Sequence, residues 1–187
     1  MTLHSLHSDV AALLAEAGIT DVDVDEAVAD DHVRTAAYLR VVSAVAASPG
    51  RDRDRWVVAT ILRDPDESGA KTAVVALVDK IASEASGPDE FRQWADEVLP
   101  EIERLPAGGN RDFIRRRIDD WLLYLTVKDG HVPTPDELAG VTDWMQRELA
   151  EWSRSPAVLA VVAESARTKK TRNIAKNRAN SRELKGE

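Results

Sequence analysis

The most regular alternation of apolar and polar positions in the chain lies between Asn110 and Val127. Its main apolar side chains recur every three or four residues, at Ile114, Ile118, Trp121, Leu122 and Leu125. This spacing places them on one face of an α-helix. Phe113 and Leu123 widen the apolar surface, while arginines and aspartates supply the other side. The pattern predicts a central helix that several other helices pack around, with the five recurring residues buried.

Most of the remaining chain shows the same helical periodicity. Proline and glycine mark several of the predicted ends, as at Pro49-Gly50 and Gly87-Pro88. Pro100 lies inside one segment and is expected to kink or split that helix, because proline lacks the backbone donor. The predicted helices cover Ser8–Ala17, 30–47, Ala70–Ile81, Phe91–Ile102, Pro135–Trp152 and a last helix from Pro156.

Two stretches allow a second interpretation. Trp56–Leu62 is rich enough in β-branched residues for a buried strand, but no convincing second strand exists to pair with it, so a helix over 51–63 is favoured. Asp21–Asp25 has carboxylates at alternate positions, as a calcium loop begins, yet Glu26 and His32 occupy the places of that loop's glycine and bidentate glutamate. Capping of a helix by one of these aspartates is therefore preferred over a strand or a metal loop.

A weak repeat relates two helices of the predicted bundle. Arg63, Pro65, Ala73, Leu77 and Ile81 are matched 41 residues later by Arg104, Pro106, Ile114, Ile118 and Leu122. The run from Arg63 to Leu77 resembles the turn and second helix of a HEAT-type repeat, whose period is roughly 40 to 47 residues. No third copy is found. We therefore expect an all-α domain of about seven or eight helices built from packed helical hairpins, with HEAT-like stacking as its finer description.

The sharpest local signal is Thr134-Pro135-Asp136-Glu137, which combines a capping threonine, proline at the first helical position and glutamate at the third. The seam of the predicted helix is Leu138, Val141, Met145, Leu149 and Trp152. The segment Thr134–Ala139 resembles the start of the first helix of a helix-turn-helix motif. Gly140-Val141-Thr142 comes too early to be the turn of that motif, and the periodic run continues afterwards, so a plain helix is preferred.

Charge divides the chain into two parts. The net charge of the 187 residues is −8, but the last 21 carry eight basic residues against Glu183 and Glu187, a net +6, which leaves −14 for the first 166. We therefore predict an acidic helical domain over residues 1–166 and a basic tail, helical or disordered, over 167–187. Such asymmetry suggests a tail that meets an anionic partner.

The basic residues of the tail are the candidate nucleic-acid site. Asparagines and threonines that can also bind phosphate oxygens lie among them, and the tail has no aromatic side chain to stack on a base, so contact with the backbone is expected rather than sequence reading. The alternative is a solvated tail that only keeps the protein soluble. The candidate residues are Arg167, Lys169, Lys170, Arg172, Lys176, Arg178, Arg182 and Lys185.

Signatures of common enzymes are absent from the sequence. It contains no phosphate-binding glycine loop, no dinucleotide fingerprint and no hydrolase nucleophile elbow. It also has no cysteine, and His4 and His7 have no accompanying ligand cluster, so neither metal nor cofactor is expected. The paired carboxylates Asp119-Asp120 and Asp136-Glu137 are assigned structural roles.

These observations predict a non-enzymatic interaction or regulatory protein whose basic tail contacts DNA or RNA. Two alternatives stay open: a protein–protein adaptor with a merely solubilising tail, and a helical-bundle enzyme that uses Asp and Glu side chains. A protein partner is expected, and a homodimer would follow if the seam from Leu138 to Trp152 were wider than the core can cover. No apolar run is long enough to span a membrane and no signal peptide is seen, so a cytoplasmic location is expected.

Overall fold

All regular secondary structure that the computed structural model describes, over residues 3–106 and 108–181, is α-helical. Eleven helices lie in these ranges. They are α1 Leu3–Glu16, α2 Val24–Ala29, α3 Asp31–Ala46, α4 Asp54–Ile61, α5 Glu67–Glu84, α6 Pro88–Ile102, α7 Gly109–Lys128, α8 Pro135–Gly140, α9 Asp143–Trp152, α10 Pro156–Ser165 and α11 Lys169–Ala179.

The all-α prediction is confirmed, but the predicted number of seven or eight helices is too low. Three differences account for the excess. Asp23 caps the short helix α2, accepting a hydrogen bond from the Glu26 amide at 3.1 Å. The predicted helix from Pro135 to Trp152 is two helices, and α11 follows α10 as a separate helix. The helical interpretation of 51–63 is confirmed by α4, and the HEAT-like stacking stays a prediction.

The backbone contacts divide the chain into two compact units. One consists of Met1–Ala85 and Phe91–Arg117, and the other of Ser86–Glu90 and Ile118–Glu187. The main division therefore falls inside α7, between Arg117 and Ile118. The acidic domain over 1–166 and the basic tail over 167–187 stay a prediction.

In the first unit the most extensive packing is between α3 and α5. Small side chains allow the two helices to approach closely, and a Cβ at Gly69 would lie only 2.3 Å from Thr35 Oγ1. The buried face of α3 is offset from the prediction: Val33 and Ala44 are only half-buried, whereas Arg34 and Tyr38 are buried. The polar residues Arg34 and Tyr38 explain this difference, because apolar periodicity alone does not reveal a buried polar group.

Asp64 is the partner that makes this burial possible. It accepts hydrogen bonds from Arg34 Nε at 2.7 Å, from Arg34 Nη2 at 3.3 Å and from the Tyr38 hydroxyl at 2.7 Å. The amide of Asp66 donates to the same carboxylate at 2.7 Å, and Arg34 Nη1 donates to the Ala27 carbonyl at the end of α2 at 2.9 Å. A buried charge pair is tolerated when its polar atoms are satisfied in this way.

The second unit has an apolar core to which α8, α9, α10 and α11 all contribute. Leu138, Met145, Leu149, Leu159 and Ala175 are among its fully buried members. Helix α11 packs against both α9 and α10. The segment predicted as a tail is therefore helical and docked over 169–179.

Helices α8 and α9 are separated because Thr142 begins a new helix. Its hydroxyl accepts a hydrogen bond from the Met145 amide at 3.3 Å, and it is itself held by Asp120 of α7, which accepts from the Thr142 amide at 2.8 Å and from its hydroxyl at 2.6 Å. The Thr134 capping box at the start of α8 is confirmed, with both reciprocal hydrogen bonds to Glu137 present. Two threonine caps lie where the sequence pattern predicted one helix.

The central-helix prediction holds in part. Ile114, Ile118 and Leu125 are buried, but Trp121 and Leu122 are only half-buried. The most extensive helix packing lies between α3 and α5 and among α9, α10 and α11 rather than on α7. A periodic stripe shows which face of a helix is apolar, but it does not show how completely its neighbours cover that face.

Three smaller expectations can be compared directly with the structure. Helix α1 begins at Leu3, five residues before the predicted Ser8. Helix α6 is not split at Pro100, since it continues to Ile102. Within the described ranges, no helix combines the length and the apolar character needed to cross a membrane.

Candidate nucleic-acid interface

Six of the eight candidate basic residues lie in the described part of the chain, on α11 or in the turn before it. Arg182 and Lys185 lie outside the described residues. Helix α11 begins because Thr168 caps it, its hydroxyl accepting from the Thr171 amide at 3.1 Å. Thr171 and Ala175 are buried, and Ile174 and Ala179 pack against the apolar core of the second unit. One face of α11 is therefore fixed against α9 and α10.

The two arginines nearest the turn are bound to groups of the protein itself, although Arg167 is exposed and Arg172 only half-buried. Arg167 forms an ion pair with Asp143, and its Nη2 donates to the carbonyls of Ala139 at 3.0 Å and Val141 at 3.2 Å. Arg172 Nη1 donates to the carbonyls of Ala166 at 2.5 Å and Arg167 at 3.1 Å. These guanidinium groups satisfy carbonyls near the ends of α8 and α10, where a cation also meets the negative end of the helix dipole.

The lysines lie on the solvent-exposed side of α11, opposite the face that packs against α9 and α10. Lys169 and Lys176 are separated by about two turns, with Asn173 between them on the same face, and Lys170 and Asn177 flank that face. We call these five exposed residues the lysine stripe. None of its lysines has a carboxylate within 4 Å among the residues that the structure describes. Arg178 is half-buried near the end of α11.

The stripe is suited to binding an anionic backbone. Lysine ammonium groups neutralise phosphates, and asparagine amides donate hydrogen bonds to phosphate oxygens or to bases. Helix α11 itself, KKTRNIAKNRA, contains no acidic and no aromatic residue. The structure thus brings together Lys169, Lys170 and Lys176 of the predicted site and assigns Arg167 and Arg172 to holding the turn.

The second unit has a partly exposed aromatic cluster, whose members the sequence pattern did not identify. Trp121 and Tyr124 of α7 lie with ring centroids 5.2 Å apart, Trp144 of α9 lies 6.0 Å from Trp121, and Trp152 lies 5.1 Å from Tyr124. Trp152 was predicted to be part of a buried seam but is 47% exposed, and Trp144 is 39% exposed. The position of Trp152 in the periodic pattern is consistent with burial, and only the tertiary structure shows that this side chain is exposed.

One member of each predicted carboxylate pair has a structural role. Asp120 is buried and holds Thr142, as described above, and Glu137 completes the capping box of α8. Hydrogen bonding to the Thr134 amide, together with the nearby His131, lowers the pKa of Glu137 below its ordinary value. His131 Nε2 lies 3.0 Å from Glu137 Oε2. Among the described residues there is no group of three metal-ligating side chains.

A buried carboxylate of different character lies in the first unit. Asp54 is 1% exposed and accepts hydrogen bonds at Oδ2 from Trp94 Nε1 at 2.8 Å and Arg51 Nη1 at 3.3 Å, while Oδ1 has no partner. Burial raises its pKa, and the Trp94 and Arg51 hydrogen bonds oppose that shift. Asp54 is among the residues that line a cavity of about 250 Å³, together with Glu16 and Asp52.

Comparison with known proteins adds no relative from which a role could be transferred: no protein-family model, no curated protein and no solved structure matches the chain.

Proposed function

We propose that this protein binds nucleic acid through the lysine stripe of α11 and acts as a regulatory or accessory factor rather than as an enzyme. The observation that carries the proposal is the division of the basic residues. Arg167 and Arg172 hold the turn, whereas three lysines are exposed on the solvent side of α11 and have no carboxylate partner among the described residues. A stripe of this kind favours phosphate contact over intramolecular pairing. A cytoplasmic location stays part of the proposal.

The experiment compares matched double variants of the full chain by fluorescence anisotropy with DNA and RNA at several salt concentrations. Lys169→Gln/Lys176→Gln removes two charges of the stripe, and Lys80→Gln/Lys128→Gln removes two charges elsewhere. Each phosphate contact contributes about −0.9 to the slope of log K against log salt on duplex DNA, so the stripe variant should show a slope shallower by about 1.8. The control variant should keep the wild-type slope.

Two results would contradict the proposal. One is that neither DNA nor RNA binds at low salt, and the other is that both double variants weaken binding equally. A third double variant, Arg182→Gln/Lys185→Gln, tests the two candidate residues that lie outside the described part of the chain. A slope that becomes shallower in this variant would extend the interface to them.

The aromatic cluster supports the protein–protein adaptor as a second candidate function. Tryptophan and tyrosine are enriched in the binding hot spots of protein interfaces, and Trp144 and Trp152 are both exposed. A second copy of the chain is one such partner. Analytical ultracentrifugation of the wild type and of Trp152→Ala tests this version. If the cluster forms the dimer interface, the dimer of the variant should dissociate at a higher protein concentration than that of the wild type.

The enzyme alternative has Asp54 as its best candidate, because a buried acid with a raised pKa beside a cavity is a feature of many active sites. A thermal-shift screen of metabolites discriminates it from the binding function, since a ligand of the native state raises the melting temperature as its concentration increases. A reproducible metabolite hit that is lost in Asp54→Asn, followed by turnover, would replace the non-enzymatic proposal.

A further inference from the structure

We propose that α10 and α11 form a helix-turn-helix unit and that α11 is its recognition helix, lying in the major groove of duplex DNA. This inference rests on the proposed nucleic-acid binding and names its substrate. It concerns a different segment from Thr134–Ala139, whose sequence resembles the opening of such a motif.

The connection between the two helices has the length that the motif requires. Helix α10 ends at Ser165 and α11 begins at Lys169, so Ala166, Arg167 and Thr168 form a three-residue turn. Helix-turn-helix units join their two helices through three or four residues. Ala166 is 1% exposed and belongs to the apolar core, which anchors the middle of the unit.

The turn is held from several directions, so the direction of α11 relative to α10 is fixed. The Arg167 amide donates to Oε1 of the buried Gln146 at 2.7 Å, and Gln146 Nε2 donates to the Leu138 carbonyl at 2.8 Å. The guanidinium of Arg172 reaches back to the Ala166 carbonyl, and Thr168 caps α11. A recognition element needs this rigidity, because base edges are read only when side chains are positioned to within a fraction of an ångström.

Helix α9 completes a three-helix arrangement beneath the recognition helix. It contacts both α10 and α11, and Met145 and Leu149 share the core with Val162 and Ala175. The most extensive packing of α11 is against these two helices. The lysine stripe is consequently presented to solvent on the opposite side of α11, as a helix lying in a groove requires.

The dimensions and chemistry of the stripe fit the major groove. Eleven helical residues extend about 16 Å at 1.5 Å per residue, and the major groove of B-DNA, about 12 Å wide, admits an α-helix. Lys169, Lys170 and Asn173 lie in the first turns of α11, the part of a recognition helix that contacts base edges. Asparagine forms a bidentate pair with adenine, and lysine contacts guanine.

The same features favour duplex DNA over the other nucleic acids. Duplex RNA has a major groove too deep and narrow for side chains to read. Single strands are bound mainly by aromatic side chains that stack on bases, and α11 has none. We therefore expect duplex DNA to be preferred and Asn173 to contribute to sequence preference.

The test begins by selecting preferred sequences from a randomised duplex pool with the full chain. Affinity is then measured for the selected duplex, for a scrambled duplex, for one of its single strands and for duplex RNA of the same sequence. Asn173→Ala is compared with Asn180→Ala, which removes an exposed asparagine at the end of α11. Circular dichroism verifies that both variants keep the helical content of the wild type.

We expect Asn173→Ala to weaken binding to the selected duplex by about 5- to 150-fold, the loss of one bidentate base contact, and to leave the scrambled duplex and the salt slope unchanged. Asn180→Ala should change affinity less than about twofold.

The inference is overturned, with the proposed function intact, if lysine-dependent binding is equally strong for single strands or duplex RNA. It is also overturned if the pool yields no preferred sequence, or if Asn173→Ala binds the selected duplex like the wild type. Absence of any salt-dependent binding by the wild type would instead overturn the proposed function itself.

Discussion

Asp120 shows how one buried carboxylate determines where a helix begins. Its two oxygens accept from the amide and the hydroxyl of Thr142, which in turn caps α9. Without Asp120, the partially buried donors of Thr142 would lose their acceptor. Asp129, an exposed aspartate of the same unit just after α7, offers a matched comparison.

We expect Asp120→Ala to lower the free energy of unfolding by about 1.5–3 kcal/mol, the typical loss for hydrogen bonds to a charged group. Asp129→Ala should change it by less than about 0.5 kcal/mol, as most surface substitutions do. Urea denaturation of both variants measures the difference. Equal losses would show that the hydrogen bonds to Thr142 contribute nothing specific.

The contribution of Asp54 to the free energy of unfolding should change with pH in the opposite direction to that of an ordinary ion-paired carboxylate. Because burial raises its pKa in the folded protein, the folded chain holds the proton more tightly than the unfolded chain. The contribution of Asp54 to the free energy of unfolding therefore falls as pH rises from the unfolded-state pKa, about 4, through the higher folded-state pKa. Asn at this position stays neutral and its side-chain oxygen can still accept from Trp94.

We expect the stability advantage of the wild type over Asp54→Asn to shrink as the pH is raised from about 4. Urea denaturation at a series of pH values measures this trend, with Asp52→Asn, at an exposed position, as the control. An advantage that grows with pH would mean that the interactions with Arg51 and Trp94 outweigh desolvation and keep Asp54 ionised.

At the scale of single elements, α7 offers two leucines that differ chiefly in burial. Leu125 is 2% exposed, whereas Leu122 is half-buried and lines an open pocket of about 350 Å³ with Thr126 and Val141. Both leucines lie on the predicted apolar stripe and in the second unit. The cost of truncating each one therefore reports how much of that stripe its neighbours cover.

We expect Leu125→Ala to lower the free energy of unfolding by about 2–5 kcal/mol, as large-to-small core changes do. Leu122→Ala should cost only about 1–2 kcal/mol, since less apolar area is lost from the interior. Chemical denaturation of the two variants under identical conditions gives the comparison. A greater loss for Leu122→Ala would show that the stripe is covered more fully than the structure indicates.

What the sequence predicted well at this scale was local in origin. Thr134 caps α8 as expected, and Ala70, Ala73 and Leu77 of α5 are buried on one face. What it missed depended on partners distant in sequence: the hold of Asp120 on Thr142, the burial of Arg34 by Asp64 and the exposure of Trp152. The lysines of the candidate site were found by their charge, whereas the hydrogen bonds of Arg167 and Arg172 to backbone carbonyls required the three-dimensional structure.

For the molecule as a whole, the acidic charge of residues 1–166 raises the question of whether the stripe is masked. In the part of the chain that the structure describes, Arg167 pairs with Asp143, but the lysines of the stripe have no carboxylate partner. Among the described residues, no salt bridge to these lysines has to be displaced before the stripe binds a ligand. The negative charge of the rest of the chain still opposes approach to a polyanion at long range, and salt screens that repulsion as well as the attraction.

The division between arginines that bind carbonyls and lysines that face solvent has a consequence for chemical modification. Acetylation neutralises lysine but not arginine. Treating the protein with an acetylating reagent should therefore abolish the interaction with phosphates while leaving Arg167 and Arg172 on their carbonyls and α11 docked on the core. Mass spectrometry would show whether Lys169, Lys170 and Lys176 are acetylated, and circular dichroism would show that the helical content is unchanged. A surface with this behaviour is one that a lysine acetyltransferase and a deacetylase could switch off and on.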